Sequence, residues 1–159
     1  MTPTAAQPTG PPRPTPPIAL TALHDLHHDH YLRYAALLLP VADAPLAVGQ
    51  AFDDLARHWP DVLATESPAA WAWQTVRHRV AALAGPRPFG PVAHLTAPQQ
   101  DLVLLHLVLD LPEALIAELT GTAPTSVRAQ IRSLTHRPAD RGRGPDRSAV
   151  GAGRHRRLG

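Results

Sequence analysis

The chain contains neither cysteine nor lysine. Without thiols it has no disulfide framework and no thiolate metal site, and its fifteen basic side chains are all arginine. Aromatic residues are scarce, with two phenylalanines, two tyrosines and three tryptophans in 159 residues. Leucine, valine and alanine must therefore supply most of the burial, and packed helices use such side chains well. No run reaches the ~18 consecutive apolar residues of a membrane span. The first seventeen residues hold seven prolines and lack a charged region followed by an apolar core. They do not read as a signal peptide but as an extended, disordered lead-in, residues 1–17. No period-two stretch of strand length occurs. The expected fold class is all-α and the expected location cytoplasmic.

Charge is placed unevenly. Residues 1–136 carry eight arginines against eleven carboxylates, a net of −3, whereas residues 137–159 carry seven against two, a net of +5. The basic isoelectric point thus belongs to a disordered tail, residues 138–159. Arginine- and glycine-rich tails bind phosphate backbones without sequence preference by releasing condensed counterions. The alternative is a solvated chain end with no specific partner.

Apolar periodicity between these ends gives helices. Ile18, Leu20, Leu23, Leu26, Tyr31, Leu32, Ala35, Leu38 and Leu39 define the first, which Pro40 ends. Asp43 suits an N-cap for the second, Val48, Phe52 and Leu55 form its stripe, and Trp59-Pro60 ends it. Ser67-Pro68 is a cap followed by proline at the first helical position. It opens a third helix through Trp71, Val76, Val80 and Leu83 that Gly85 closes. Four prolines and two glycines between Gly85 and Pro98 cannot continue a helix, so residues 18–84 form one lobe and residues 85–95 a linker.

Residues 96–137 form a second lobe. Thr96 and Gln99 have capping-box spacing, an apolar run covers Leu102 to Leu109, and Leu111-Pro112 restarts the chain with proline at a first helical position. Leu115, Ile116 and Leu119 give one apolar face. Gly121 supplies the positive φ of a tight turn. Pro124 opens a last helix with Val127, Ile131 and Leu134 inward and Arg128 and Arg132 at i, i+4. This is helix-turn-helix spacing, in which the second helix enters a DNA major groove. Two short helices around a glycine turn also occur in helical proteins that never meet DNA.

The ordered set of elements resembles the sigma-70 family, in particular the small extracytoplasmic-function type built from a region 2 and a region 4 lobe. His30-Tyr31-Leu32-Arg33-Tyr34-Ala35-Ala36-Leu37-Leu38-Leu39 is similar to the first region 2 helix. Asp43-Ala44, Gln50-Ala51-Phe52 and Leu55-Ala56-Arg57-His58-Trp59-Pro60 resemble the helix that binds core RNA polymerase. The stretch from Ser67 to His78 resembles the segment that captures and opens the −10 promoter element, and residues 95–137 resemble region 4, which binds the −35 element. The resemblance covers about residues 18–137. It implies a cytoplasmic transcription initiation factor whose partners are RNA polymerase core and promoter DNA, with an anti-sigma protein as a further partner. Asp43, Gln50, Phe52, Asp53 and Arg57 would face polymerase. Ser126, Arg128, Gln130, Arg132, Trp73, Arg77 and Arg79 would face DNA, arginine being suited to guanine and glutamine to adenine.

Departures accompany the resemblance. Where the family is strongly acidic after its Asp-Ala pair, this chain has Pro45, Leu46, Gly49 and Gln50, and Ala123 stands at the cap of the last helix. A degenerate factor that has lost polymerase docking and acts as a stand-alone helix-turn-helix regulator or interaction module is the rival function. Trp71 reads first as a core side chain, with stacking on unpaired bases, worth ~1–3 kcal/mol each, as its alternative. Trp71 and Trp73 point in different directions, one inward and one outward. His24 and His28 at i, i+4 invite a metal, but no second element supplies further ligands, so no metal and no cofactor are expected. No Ser/His/Asp spacing, phosphate loop or paired acids suggest an enzyme.

Overall fold

The computed structural model describes residues 15–85 and 92–136. Most of the proline-rich start, residues 86–91 of the linker and the arginine-rich tail lie outside the described residues. Those residues form seven α-helices and a π-helical segment with no strand among them, so the all-α expectation holds there. None of the described helices is long and apolar enough to cross a membrane.

Helix α1 is Ile18–Leu38. It stops because Leu39 is extended, at φ −125° and ψ 155°, as the residue before a proline tends to be. Helix α2, Asp43–Arg57, starts one residue earlier than the sequence suggests: Ala42 is the cap, and Asp43 is the first helical residue. The Asp43 and Ala44 N–H groups donate to the Pro40 carbonyl at 2.9 and 3.2 Å, and the Asp43 carboxylate still sits favourably at the positive end of the helix dipole. Trp59-Pro60 does not close the region. It opens a short helix, α3, Trp59–Leu63, with Pro60 in the first turn, where a missing N–H costs nothing. Helix α4 is Pro68–Ala84, and the Ser67 hydroxyl accepts the Ala70 N–H at 3.2 Å, a cap worth roughly 0.5–2 kcal/mol.

The second group opens with α5, Ala97–Val103, whose capping box is complete. The Gln99 N–H donates to Thr96 Oγ1 at 3.4 Å and the Thr96 N–H to Gln99 Oε1 at 2.9 Å. The apolar run then departs from the expected regular helix. Leu104–Val108 is π-helical, the Leu109 N–H reaching the Leu104 carbonyl at 2.9 Å, and Asp110 follows at φ 53°. Leu104 and Leu105 turn inward while Leu107 and Val108 stand in solvent. Helix α6, Glu113–Thr120, has Pro112 as its cap rather than as its first residue. Gly121 turns the chain at φ 62° and α7, Pro124–Thr135, follows with Val127 and Ile131 buried.

The two helical groups are packed on each other. One apolar cluster takes Tyr31, Tyr34, Val48, Trp73, Val76 and Val80 from the first group and Leu102, Leu105, Ile116, Leu119, Val127 and Ile131 from the second. Leu20, Leu55, Trp59, Val62 and Ala72 make a smaller cluster at the far end of the first. The contact between groups runs mainly along α4 and α6, with α1 touching the π segment.

Candidate functional site

Three surfaces carry the residues that the sequence singles out. The first is the outward side of α2. Asp43, Leu46, Gln50, Asp53 and Arg57 recur at three- and four-residue steps, which places them on one stripe of a helix with 3.6 residues per turn. All five are exposed or half-exposed. Phe52 points the other way, half-buried between both apolar clusters, its ring 4.7 Å from His24 and 6.1 Å from Tyr31. The stripe therefore consists of two carboxylates, one guanidinium, the Gln50 amide and an exposed leucine. Arg57 is held back on its own helix, ion-paired with Asp54 and donating from Nε to the Asp53 carbonyl at 3.2 Å.

The second surface is α4, where the tryptophans take places opposite to those expected. Trp73 is the buried one, 4.8 Å from the Tyr34 ring, and Trp71 is the exposed one, at 42%. Removing a buried tryptophan costs roughly 3–5 kcal/mol, which makes Trp73 a core side chain. Trp71, Gln74 and His78, at i, i+3 and i+7, face outward and line an open groove of about 840 Å³ that Asp54, Glu66 and His58 wall on the other side. Gln74 accepts from Arg77 Nη1 through Oε1 at 3.0 Å, leaving its N–H₂ donors for a ligand. A half-exposed indole beside an amide, an imidazole and charged groups is suited to stacking a planar ring and contacting its polar edge. Sequence inspection singles out Trp73, whereas a 100° helical step from Val76 and Val80 puts Trp71 outside. Arg79 flanks the groove in an ion pair with Asp54. Arg77 lies on the other flank of α4, its side chain 16% exposed, paired with the buried Asp101 of α5. Asp101 also accepts the Tyr34 hydroxyl at 2.7 Å.

The third surface is α7. Ser126, Arg128, Gln130 and Arg132 are all exposed, but they do not make one face. Ser126 and Gln130 lie on one edge and Arg128 and Arg132 on the other, about 160° around the helix axis. Between them, directly opposite the buried Val127 and Ile131, stand Thr125, Ala129 and Ser133, which are exposed and which sequence inspection missed. Helical-wheel arithmetic from the two buried positions would have found them. Gln130 borders a small cavity shared with Gln74 and Arg77. Arg128 donates from Nε to Glu113 on the first turn of α6 at 3.1 Å. Arg128 is exposed and Glu113 half-exposed, so that pair is worth roughly 0–1 kcal/mol. Small side chains at the centre of the face let a nucleic-acid groove approach closely, and Thr, Ser and Ala suit base edges and thymine methyl groups.

His24 and His28 stack at a centroid distance of 4.3 Å. Among the described residues no group of three His, Cys, Asp or Glu side chains converges as a metal site would require. No protein-family model, curated protein or solved structure matches the chain.

Proposed function

We propose that this protein is a sigma-factor-like transcription initiation protein. Its first lobe docks on RNA polymerase core through the outward stripe of α2 and offers the Trp71 groove to an unpaired base of the −10 element. Its second lobe reads the −35 element with α7. The observation that carries this proposal is the α6–Gly121–α7 unit: a left-handed glycine turn between two short helices, with a fully exposed face of small residues edged by Arg128 and Arg132. That is the arrangement a major-groove reader needs. Duplex binding that falls when Thr125, Ala129 or Ser133 is replaced by leucine, with the fold retained, supports it; duplex binding indifferent to all three removes it.

A second proposal is favoured by two observations. The α2 stripe has Leu46 and Gln50 where family members carry acids, and Trp73 and Arg77 are committed to packing and pairing inside the protein. Both fit a stand-alone DNA-binding regulator that no longer docks on polymerase. Leu46→Asp with Gln50→Glu separates the two, since charged partners at a docking surface are worth several kcal/mol when fully paired. Stronger polymerase binding by the double variant assigns docking to the α2 stripe; no change assigns the lobe to a different partner.

A further inference from the structure

Glu113 is out of place on a surface offered to DNA. It stands on the first turn of α6 and accepts a hydrogen bond from Arg128 Nε of α7 at 3.1 Å. A face that meets a polyanion gains affinity from arginine and loses it to a carboxylate, whose charge repels phosphate. The pair bridges the two helices across the Gly121 turn, and both side chains remain in water, Arg128 at 52% and Glu113 at 35%. An ion pair so exposed adds little to folding. The other arginine–carboxylate pairs among the described residues centre on Asp54 and Asp101, with partners on α2, α4 and α5. Of these pairs, only Glu113–Arg128 lies on the edge of the exposed α7 face.

The geometry points to Glu113 as a specificity-determining positioning residue: it sets Arg128 to read a guanine in the major groove and restrains its attraction for phosphate. The inference rests on the duplex-binding role given to α7 above. Arg128 lies in the N-terminal half of α7, the part of a recognition helix that reaches base edges. Arginine carries five N–H donors in a planar fork. Glu113 takes the one on Nε, and those on Nη1 and Nη2 are left for a ligand; a parallel pair of them matches guanine O6 and N7. A side chain already tethered at Nε has less rotamer freedom to lose on binding. An untethered arginine on the same edge could reach phosphates instead, and phosphate contacts carry no sequence information. The carboxylate therefore acts in two directions. It holds the guanidinium for one base contact, and its charge offsets that of Arg128 in every complex lacking that base. Discrimination of this kind favours the right partner and penalises the wrong ones together. A carboxylate on the first turn of α6 also complements the helix dipole, but that role is indifferent to Arg128, and the difference is measurable.

The full chain is first offered a pool of duplexes of random sequence, and the sequence it enriches serves as the preferred duplex. Affinities for that duplex, for versions of it with one base pair replaced, and for an unrelated duplex are then compared. The proteins are the parent, Glu113→Ala, Glu113→Gln and Arg128→Ala, each checked for retained helix by circular dichroism. Glu113→Ala should bind the unrelated duplex more tightly, with a salt slope steeper by up to about one unit, and the preferred duplex more weakly. Its preferred-to-unrelated ratio should fall at least tenfold. The lost selectivity should be confined to one G·C pair, the same pair at which Arg128→Ala loses it. Glu113→Gln keeps an acceptor without the charge, so it should retain part of the preference; it also stands in should Glu113→Ala fail to fold. In an Arg128→Ala background the ratio should no longer respond to Glu113, whereas in an Arg132→Ala background it still should. A ratio unchanged by the Glu113 variants overturns the inference, and so does a fall that persists without Arg128, which would assign Glu113 to the dipole of α6. Selectivity lost at an A·T pair overturns the guanine assignment. A parent that enriches no sequence overturns the duplex-reading proposal itself, and the role of Glu113 falls with it.

Discussion

Gly121→Ala should be among the most damaging single-methyl additions this protein can receive. Gly121 sits at φ 62° and ψ 26°, a left-handed conformation that costs a residue with a Cβ roughly 1–2 kcal/mol. A Cβ there would also lie 2.3 Å from the Ala70 nitrogen, 2.5 Å from Ser67 Oγ and 2.7 Å from the Ala70 Cα. Two of those atoms are backbone at the start of α4 and cannot rotate away, so the helices must shift, which costs roughly 1–3 kcal/mol more. The combined loss is about 2–5 kcal/mol, a large fraction of the ~5–15 kcal/mol that holds a typical domain. Urea unfolding followed by circular dichroism measures it, and two companions apportion it. Gly121→Asn tolerates the left-handed conformation but keeps the clash, so it should recover only the first part. Gly49→Ala, in the interior of α2 where a new Cβ meets nothing within 4 Å, should instead stabilise by about 0.5–1 kcal/mol. A loss below about 1 kcal/mol for Gly121→Ala would show that the turn does not press on α4, and the packed arrangement of the lobes would fall with it.

Three further outcomes are expected. His27 is buried, and burial first, then the neighbouring His30, lowers its pKa below 6.5, against a smaller opposing effect of Glu118. A group whose folded pKa is depressed supports the fold above its unfolded pKa and loses that support as pH falls through the folded value. Stability should therefore drop on acidification below about pH 6.5, and His27→Leu should flatten that drop in urea titrations at pH 7.5 and 5. Arg132→Ala should weaken duplex binding by about 1–3 kcal/mol at a preferred sequence, more than at a random one, if it contacts a base edge. Deleting residues 138–159 removes a net charge of +4, so the slope of log affinity against log salt should become shallower by up to about 4 units; an unchanged slope would take the tail out of the interface.

Local chemistry is what the sequence made legible. The Ser67 cap, the Thr96–Gln99 capping box, the Gly121 turn and the helix stop before Pro40 each depend on neighbouring residues, and each is present. Features set by distant contacts were harder to read. Nothing within the run from Leu102 to Leu109 announces a π segment, and Asp110 takes a positive φ that aspartate tolerates without requiring. The tryptophans take places opposite to those the sequence suggests because both lie within an apolar-looking helix; only the phase set by Val76 and Val80 distinguishes them. Asp101 gave no sign of being buried, since its partners Tyr34 and Arg77 lie 67 and 24 residues away in the chain. The contact between the lobes therefore stayed out of view, and the sequence left packed and tethered lobes equally open.

The most direct test of the proposed function is co-elution of the purified full-length protein with core RNA polymerase at moderate salt. A stable complex that also directs initiation from a defined promoter is the predicted result, and it would establish the initiation role despite Leu46 and Gln50. No complex, with sequence-selective duplex binding through α7 intact, would contradict the initiation role and leave a DNA-binding regulator whose first lobe serves another partner.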